Sequence, residues 1–361
     1  MRRRLEVLLA LGFLISACQA YTERMHGGPS IEDDDGGDDD MGDDDTGDVD
    51  DDDDDTSGDD DDDAGPISSA DDFVQVSVAG MHSCALRTDG TLWCWGRDFF
   101  GMASAPGGTY QQVAVGGNHN CAVRTDGTLH CWGQPSYGLE DPPDGVFTQV
   151  AMESFHGCGL RPDGSVDCWG CAPDPWTPEI YAGQCQDQPG PYVQIAVGYY
   201  FNCGLTPQQT VECWGCQGEG NDYGQCSPPA VPFESISAGT HHACGLTADD
   251  GLVCWGKGDD GQTNPPPGTY LPFQDDGGNQ CAVHTDGLVE CWGCWLNWGE
   301  CDAPEKTPFV QVDTGWGHTC GVRADGRVEC WGQDSFGQAS PDGGPYEGDP
   351  GDDDLADDDT S

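Results

Sequence analysis

Apolar and polar residues alternate over short stretches through the middle of the chain, which predicts β-strands of about five residues. The fullest example runs from Phe73 to Gly96 and reads FVQVSVAGMHSCALRTDGTLWCWG. Its first stretch alternates Val76 and Val78 with polar neighbours, and two further apolar stretches follow. Each such segment therefore supplies roughly three short strands.

This segment is one of seven similar units, each built around the sequence Cys-x9-Cys-Trp-Gly. The second cysteines of successive units are 37, 37, 45, 41, 37 and 39 residues apart. A regular period of this length indicates a solenoid or a propeller, in which each unit packs on its neighbours.

The turn between the two cysteines sets the strand register. Glycine in Asp89-Gly90 suits the left-handed position of a hairpin turn. A two-residue turn would place Cys84 opposite Trp95, whereas a three-residue turn ending in a bulge places Cys84 opposite Cys94, close enough for a disulfide. Because every unit keeps nine intervening residues, we predict seven cross-strand disulfides: Cys84–Cys94, Cys121–Cys131, Cys158–Cys168, Cys203–Cys213, Cys244–Cys254, Cys281–Cys291 and Cys320–Cys330.

Six further cysteines occur in three units, and a unit that lacks the first of them also lacks the second. This joint presence predicts the pairs Cys171–Cys185, Cys216–Cys226 and Cys294–Cys301. Zinc coordination is the competing interpretation of so many cysteines. The pairwise pattern favours ten disulfides, no metal site and an oxidising compartment.

The recurring string Gly-x-x-His-x-Cys-Ala-Leu-x-x-Asp-Gly-x-Leu-x-Cys-Trp-Gly, with a closing Gly-Gln, resembles the regulator of chromosome condensation repeat in the short form of exported bacterial proteins. The resemblance covers about residues 73–340. It implies an all-β fold, a seven-bladed β-propeller. The sixth unit, Phe273 to Cys281, is three residues shorter than the others and lacks the Val-x-Val stretch, so its blade is expected to be incomplete.

The resemblance does not decide the function, because the family includes nucleotide exchange on the Ran GTPase, chromatin binding, ultraviolet sensing and inhibition of β-lactamases. One fold commonly carries many functions.

The N-terminus indicates export. A basic start precedes an apolar run from Leu5 to Ile15, and the sequence Ile15-Ser16-Ala17-Cys18 follows, which is typical of a signal peptide. It resembles a bacterial lipobox, which implies acylation of Cys18. We expect a signal peptide over 1–17, followed over 18–66 by the acylated Cys18 and a disordered Asp-rich linker. The propeller should span 67–346, and an acidic disordered tail should span 347–361.

The formal net charge is −54, with 22 acidic residues in 32–63 and 8 in 347–359. Residues 64–346 still hold 34 acidic and 8 basic side chains. A field of this sign repels phosphate groups. We therefore expect no nucleic-acid partner and membrane attachment only through the lipid anchor. We also expect no cofactor and a monomer.

Three sets of residues are candidates for a function. Histidines recur two residues before the first cysteine of five units, where we expect them to be structural: His82, His119, His156, His242 and His318. Aromatics precede the closing glycine in five units, and their regular recurrence assigns them to blade packing: Phe100, Tyr137, Tyr223, Trp298 and Phe336. Trp176, Tyr181 and Trp295 lie in disulfide-closed loops outside the repeat pattern, and we predict that they bind the ligand.

These features favour a lipid-tethered recognition, adhesion or inhibitor module on the cell surface or periplasmic face of the outer membrane, with a protein or polysaccharide ligand. The alternative is nucleotide exchange by analogy with the family. No catalytic pairing is identified, so an enzyme is not expected.

Overall fold

The computed structural model describes residues 72–135, 137–171, 183–216, 222–273, 277–294, 296, 298–343 and 345–346. The chain divides into the units Met1–Pro66 and Ile67–Ser361, and all described residues belong to the second. The predicted signal peptide 1–17, Cys18, the linker 18–66 and the tail 347–361 lie outside the described residues.

The described part is all-β, as the alternation of apolar residues predicts. Its strands are β1 Phe73–Val78, β2 His82–Arg87, β3 Leu92–Arg97, β4 Tyr110–Val115, β5 His119–Arg124, β6 Leu129–Gly133, β7 Gln149–Met152, β8 Gly157–Leu160, β9 Val166–Trp169, β10 Gln194–Val197, β11 Phe201–Leu205, β12 Val211–Gly215, β13 Ser235–Ala238, β14 His242–Leu246, β15 Leu252–Gly256, β16 Gln280–Val283, β17 Val289–Trp292, β18 Phe309–Thr314, β19 His318–Arg323, β20 Val328–Gly332 and β21 Pro345–Tyr346. Two 3-10 turns are Phe99–Gly101 and Pro341–Gly343. No helix in this part of the chain is long and apolar enough to cross a membrane.

The strands form seven sheets, which are the blades of a propeller. Blades 2, 3, 4, 5 and 7 each contain three antiparallel strands, in the orders β4-β5-β6, β7-β8-β9, β10-β11-β12, β13-β14-β15 and β18-β19-β20. Blade 1 contains β1, β2 and β3, and the C-terminal strand β21 adds to it in parallel with β3. Within the described residues, blade 6 contains only β16 and β17. The predicted shortening of the sixth unit is wrong, because the Tyr270–His284 bridge corresponds to the Tyr110–Arg124 pair of blade 2 and gives this unit the same spacing to its first cysteine. Residues 274–276 lie outside the described residues.

The turn between the second and third strands has the register that the sequence predicts. Cys84 lies opposite Cys94 with the two Cα atoms 4.0 Å apart, and Gly90 is left-handed with φ 84°. The Gly90 amide donates to the Arg87 carbonyl oxygen at 2.9 Å, which closes the turn. The described residues form ten disulfides, and their partners coincide with the ten pairs given above.

A glutamine on the innermost strand joins each of five blades to the next. In the first link, Nε2 of Gln75 donates to the Val113 carbonyl oxygen at 2.9 Å, and the Val113 amide donates to Oε1 of Gln75 at 3.1 Å. The same two bonds recur for the pairs Gln112 and Val150, Gln149 and Ile195, Gln194 and Ile236, and Gln311 and Val76. A side-chain amide thus continues the backbone hydrogen bonding from blade to blade.

Blade 5 departs from this pattern, because its equivalent residue is Ser235. The Ser235 hydroxyl is buried and has no hydrogen-bond partner among the described residues. The glutamine links therefore stop before blade 6, where the inner strand is missing from the described sheet.

Six of the seven tryptophans after the second cysteine also join neighbouring blades. Trp95 is fully buried, and its Nε1 donates to the Gln338 carbonyl oxygen of blade 7 at 2.9 Å. Five others donate to the residue after the preceding closing glycine: Trp132 to Met102, Trp169 to Leu139, Trp255 to Gln225, Trp292 to Gln262 and Trp331 to Glu300. Together with the Gln311–Val76 pair, the Trp95 bond closes the ring between the last and first blades.

Candidate functional site: an aromatic face of the propeller

Two sets of loops lie at the same end of the blades. The first set joins the innermost strand to the second strand, at 79–81, 116–118, 153–155, 198–200, 239–241 and 315–317. The second set follows Trp-Gly. Backbone hydrogen bonds connect the two sets, for example from the Arg97 amide to the Met81 carbonyl oxygen and from the Lys257 amide to the His241 carbonyl oxygen, at 2.9 and 3.0 Å. The Asp-Gly hairpins lie at the other end of the blades, which we call the hairpin face.

These loops place aromatic rings side by side. We define the aromatic face by eleven residues: Phe99, Phe100, Tyr137, Phe155, Tyr199, Tyr200, Tyr223, His241, Trp298, Trp316 and Phe336. They come from all seven repeat units and from positions up to 237 residues apart in the sequence.

One group of these rings is continuous from blade 2 to blade 5. The Phe155 ring centroid is 5.4 Å from that of Tyr137 and 5.0 Å from that of Tyr199. The Tyr199 ring is 5.7 Å from His241, which lies 5.3 Å from Tyr223 in an edge-to-face arrangement. Such contacts favour a fixed arrangement of the rings.

A second group lies over blades 7 and 1. The Arg97 guanidinium lies between two rings, 4.9 Å from the centroids of both Phe99 and Phe336. The Trp298 ring packs directly on the backbone of Gly317. Trp316, which directly precedes Gly317 in the sequence, is 49% exposed.

The exposure of these rings corrects one sequence-based expectation. The aromatics before the closing glycine were assigned to blade packing because they recur in register. Phe100 is 55% exposed, Tyr223 45% and Trp298 48%, so these three do not fill space between blades. Tyr137 and Phe336 are half-buried. The regular recurrence predicts the position of each ring in the repeat, but it does not predict whether the ring is buried or exposed.

Two of these aromatics have an unfavourable backbone conformation. Phe100 and Tyr137 are left-handed, with φ of 59° and 60°, and each precedes a left-handed glycine. For a residue with a Cβ this conformation costs roughly 1 kcal/mol. Backbone strain of this kind concentrates at functional sites.

A buried carboxyl group lies under the larger ring cluster. Glu153 is only 4% exposed, and it occupies a loop position where Gly116, Gly198 and Gly239 stand in other units. Burial raises the pKa of Glu153 to about 7, although the carboxylate accepts a hydrogen bond from the Ser154 amide. The pKa of Tyr199 is raised, first by burial and then by its neighbours Tyr200 and Glu153.

The five repeated histidines are structural. Nε2 of His82 lies 2.7 Å from Oδ1 of Asn120 in the next blade, and Nε2 of His156 lies 2.7 Å from Oδ1 of Asn202. Because an amide oxygen accepts, these imidazoles carry their proton on Nε2. Burial lowers the pKa to about 4 for His82, His156 and His242 and to about 3 for His119 and His318. All five are therefore neutral near pH 7 and poorly suited to proton transfer.

The predicted binding residues Trp176, Tyr181 and Trp295 lie outside the described residues. In the part of the chain that is described, no group of three or more His, Cys, Asp or Glu side chains is placed to hold a metal ion. Sequence reasoning missed Phe155, Tyr199, Tyr200, His241 and Trp316. Their signal was the variable pair inside Gly-x-x-His, which contains aromatics only in some units.

Comparison with known proteins agrees with this architecture. The family model described as "Regulator of chromosome condensation (RCC1) repeat" matches residues 73–101, 110–139, 233–262 and 309–338. A search of curated proteins found no match.

Two solved structures share the fold. The CRINKLY WD40 ectodomain of the receptor kinase ACR4 from Arabidopsis thaliana is 25% identical with a TM-score of 0.58, over 71% of this chain and 93% of that chain. The entire ectodomain of the receptor kinase CR4 from Physcomitrella patens is 24% identical with a TM-score of 0.60, over 72% of each chain. The four matched segments coincide with units 1, 2, 5 and 7, and the same pattern recurs in the other three units. The chain therefore has an RCC1-like repeat architecture, with RCC1 repeats in the four matched segments.

Proposed function

We propose that this protein is an exported recognition module that binds a partner through the aromatic face. The observation that carries the proposal is the exposure of Phe100, Tyr223, Trp298 and Trp316 on one end of the propeller. Large aromatic side chains lose little conformational entropy when they bind, and they dominate the energies of many interfaces. The disulfides and the links between blades hold the loops that carry them.

The ten disulfides indicate an oxidising environment outside the cytosol. We further propose that the protein is attached to the outer membrane through an acylated Cys18, because of the lipobox-like sequence. The similarity to a receptor-kinase ectodomain supports display outside the cell.

A binding role fits the described residues better than catalysis. The repeated histidines are buried and neutral, and His82, His156 and His318 form hydrogen bonds between blades. Nucleotide exchange, the alternative by family analogy, would require a cytosolic GTPase, which conflicts with the export signal.

The test compares partner capture by the full-length protein and by variants that keep the fold. Trp316→Gly introduces glycine, the residue that units 1 and 2 have at the equivalent loop positions, Gly80 and Gly117. Phe100→Asn removes the ring at a left-handed position that asparagine tolerates. We expect each to weaken capture by about tenfold or more, with no loss of thermal stability.

The matched control is Val146→Thr, because Val146 is 49% exposed and lies against Gly127 on the hairpin face. It should leave capture unchanged. A second set, Trp176→Ala and Trp295→Ala, tests the loop residues that the sequence favours. Loss of capture in that set alone would contradict recognition by the aromatic face.

A further inference from the structure

Basic side chains are scarce around the exposed rings. The described parts of the loops that build the aromatic face contain six acidic side chains, Asp98, Glu153, Asp222, Asp259, Asp260 and Asp334. The same loop segments contain two basic ones, Arg97 and Lys257. Asp222, Asp259, Asp260 and Asp334 are exposed, so the rings are surrounded by negative charge.

Both basic side chains already lie on aromatic rings. The Lys257 ammonium is 5.5 Å from the Tyr223 centroid, and the Arg97 guanidinium contacts Phe99 and Phe336. The face of an aromatic ring attracts cations through its quadrupole. The protein itself therefore shows that rings at this end of the propeller accept cations, while Trp298 and Trp316 have no cation over them within the described residues.

We propose that the aromatic face binds a basic peptide segment, rich in arginine or lysine, of a protein partner. The proposal rests on the proposed function and specifies its ligand. Arginine and lysine side chains would stack on Trp298, Trp316 and Phe100, and the surrounding carboxylates would attract the peptide at long range.

Charge decides between this ligand and a polysaccharide. An anionic polysaccharide would be repelled by the acidic loops, and a neutral one would gain no long-range electrostatic attraction from them. A cationic partner is attracted both by the ring quadrupoles and by the net negative charge of the loops.

The test uses full-length protein and a synthetic peptide of alternating arginine and serine that carries a photoreactive group. A peptide of alternating glutamate and serine and a neutral oligosaccharide serve as comparison probes. We expect the basic peptide to bind with an affinity that falls as salt rises. Cross-links mapped by mass spectrometry should fall in loops 97–101, 222–224, 257–261 and 315–317.

Two variant pairs separate stacking from general attraction to an acidic protein. The pair Trp298→Leu and Trp316→Gly removes rings and keeps every charge, and it should weaken peptide binding about tenfold. The pair Asp126→Asn and Asp163→Asn removes two charges from the hairpin face and should change binding less than about twofold.

Equal weakening by both pairs, or cross-links confined to residues 32–63, would overturn the proposal, because either result means diffuse charge attraction. Binding of the oligosaccharide in place of the peptide would also overturn it. If Trp316→Gly still abolishes capture of the natural partner in those cases, recognition by the aromatic face stands and only the ligand class is wrong.

Discussion

The side-chain amide of Gln112 forms two hydrogen bonds, both 2.8 Å long, with the backbone of Val150 in the neighbouring blade. These residues are 38 positions apart in the sequence. The amide group thus acts as one more peptide unit, and it joins two sheets whose backbone strand pairing is confined to each blade.

Removal of this link should destabilise the propeller. Gln112→Ala leaves the N–H and C=O of Val150, a residue that is 1% exposed, without their partner. We expect a loss of about 1 to 3 kcal/mol in the free energy of unfolding, measured by urea denaturation. The control is Gln111→Ala, the exposed adjacent residue, which should have almost no effect. Equal losses in both variants would mean that the inter-blade bonds contribute little.

The buried histidines should make the protein sensitive to acid. Burial lowers the pKa of His119 to about 3, whereas an unfolded histidine titrates near 6.5. Between these values the unfolded state binds the proton and the folded state does not, so stability falls as the pH decreases below about 6.5.

His119→Phe tests this linkage with a natural precedent, since Phe201 occupies the same position in unit 4. At pH 7 the variant should remain folded. Between pH 6.5 and 4 it should lose less unfolding free energy than the wild type, by about 2 kcal/mol at pH 4. Parallel stability curves for the two proteins across this range would show that His119 does not carry the effect.

Glu153 predicts a pH dependence of opposite sign. Its folded pKa of about 7 lies above the ordinary value of 4.5, so ionisation is unfavourable in the folded state. The stabilisation that the neutral carboxyl retains below pH 4.5 is lost as the pH rises through about 7.

Glu153→Gln removes this charge and keeps an oxygen that accepts from the Ser154 amide. We expect the variant to match the wild type near pH 4 and to be more stable by about 2 kcal/mol at pH 8. Thermal melts at the two pH values measure the difference. Glu140→Gln, in an exposed position, is the control and should show no such change. A Glu153→Gln curve that runs level with the wild type at both values would contradict burial of the carboxyl.

The lipobox-like sequence predicts membrane attachment. Wild-type protein should partition into the detergent phase, because diacylation gives stable anchoring where one chain is marginal. Cys18→Ser should move the protein to the aqueous phase. Mass spectrometry of the wild-type N-terminus checks the modification directly, and an unmodified, water-soluble wild-type protein would exclude the anchor.

The sequence alone determined the features that depend on residues close together in the chain. The nine-residue spacing between Cys84 and Cys94 sets the turn and therefore the register, because side chains alternate faces along a strand. The same local rule recurs in every unit, so the number of blades and the cysteine pairs follow from the pattern.

The tertiary structure decided which residues of the repeat meet across blades and which face solvent. Tyr199 and His241 contact each other only because blades 4 and 5 are adjacent in the ring, and Glu153 is buried in the folded protein although other units have glycine at its position. A repeat pattern shows that Phe100 and Trp298 are equivalent, but exposure depends on what the adjacent loops leave uncovered. Burial is a property of the packed ring of blades and not of any single unit, so the aromatic face emerged only from the structure.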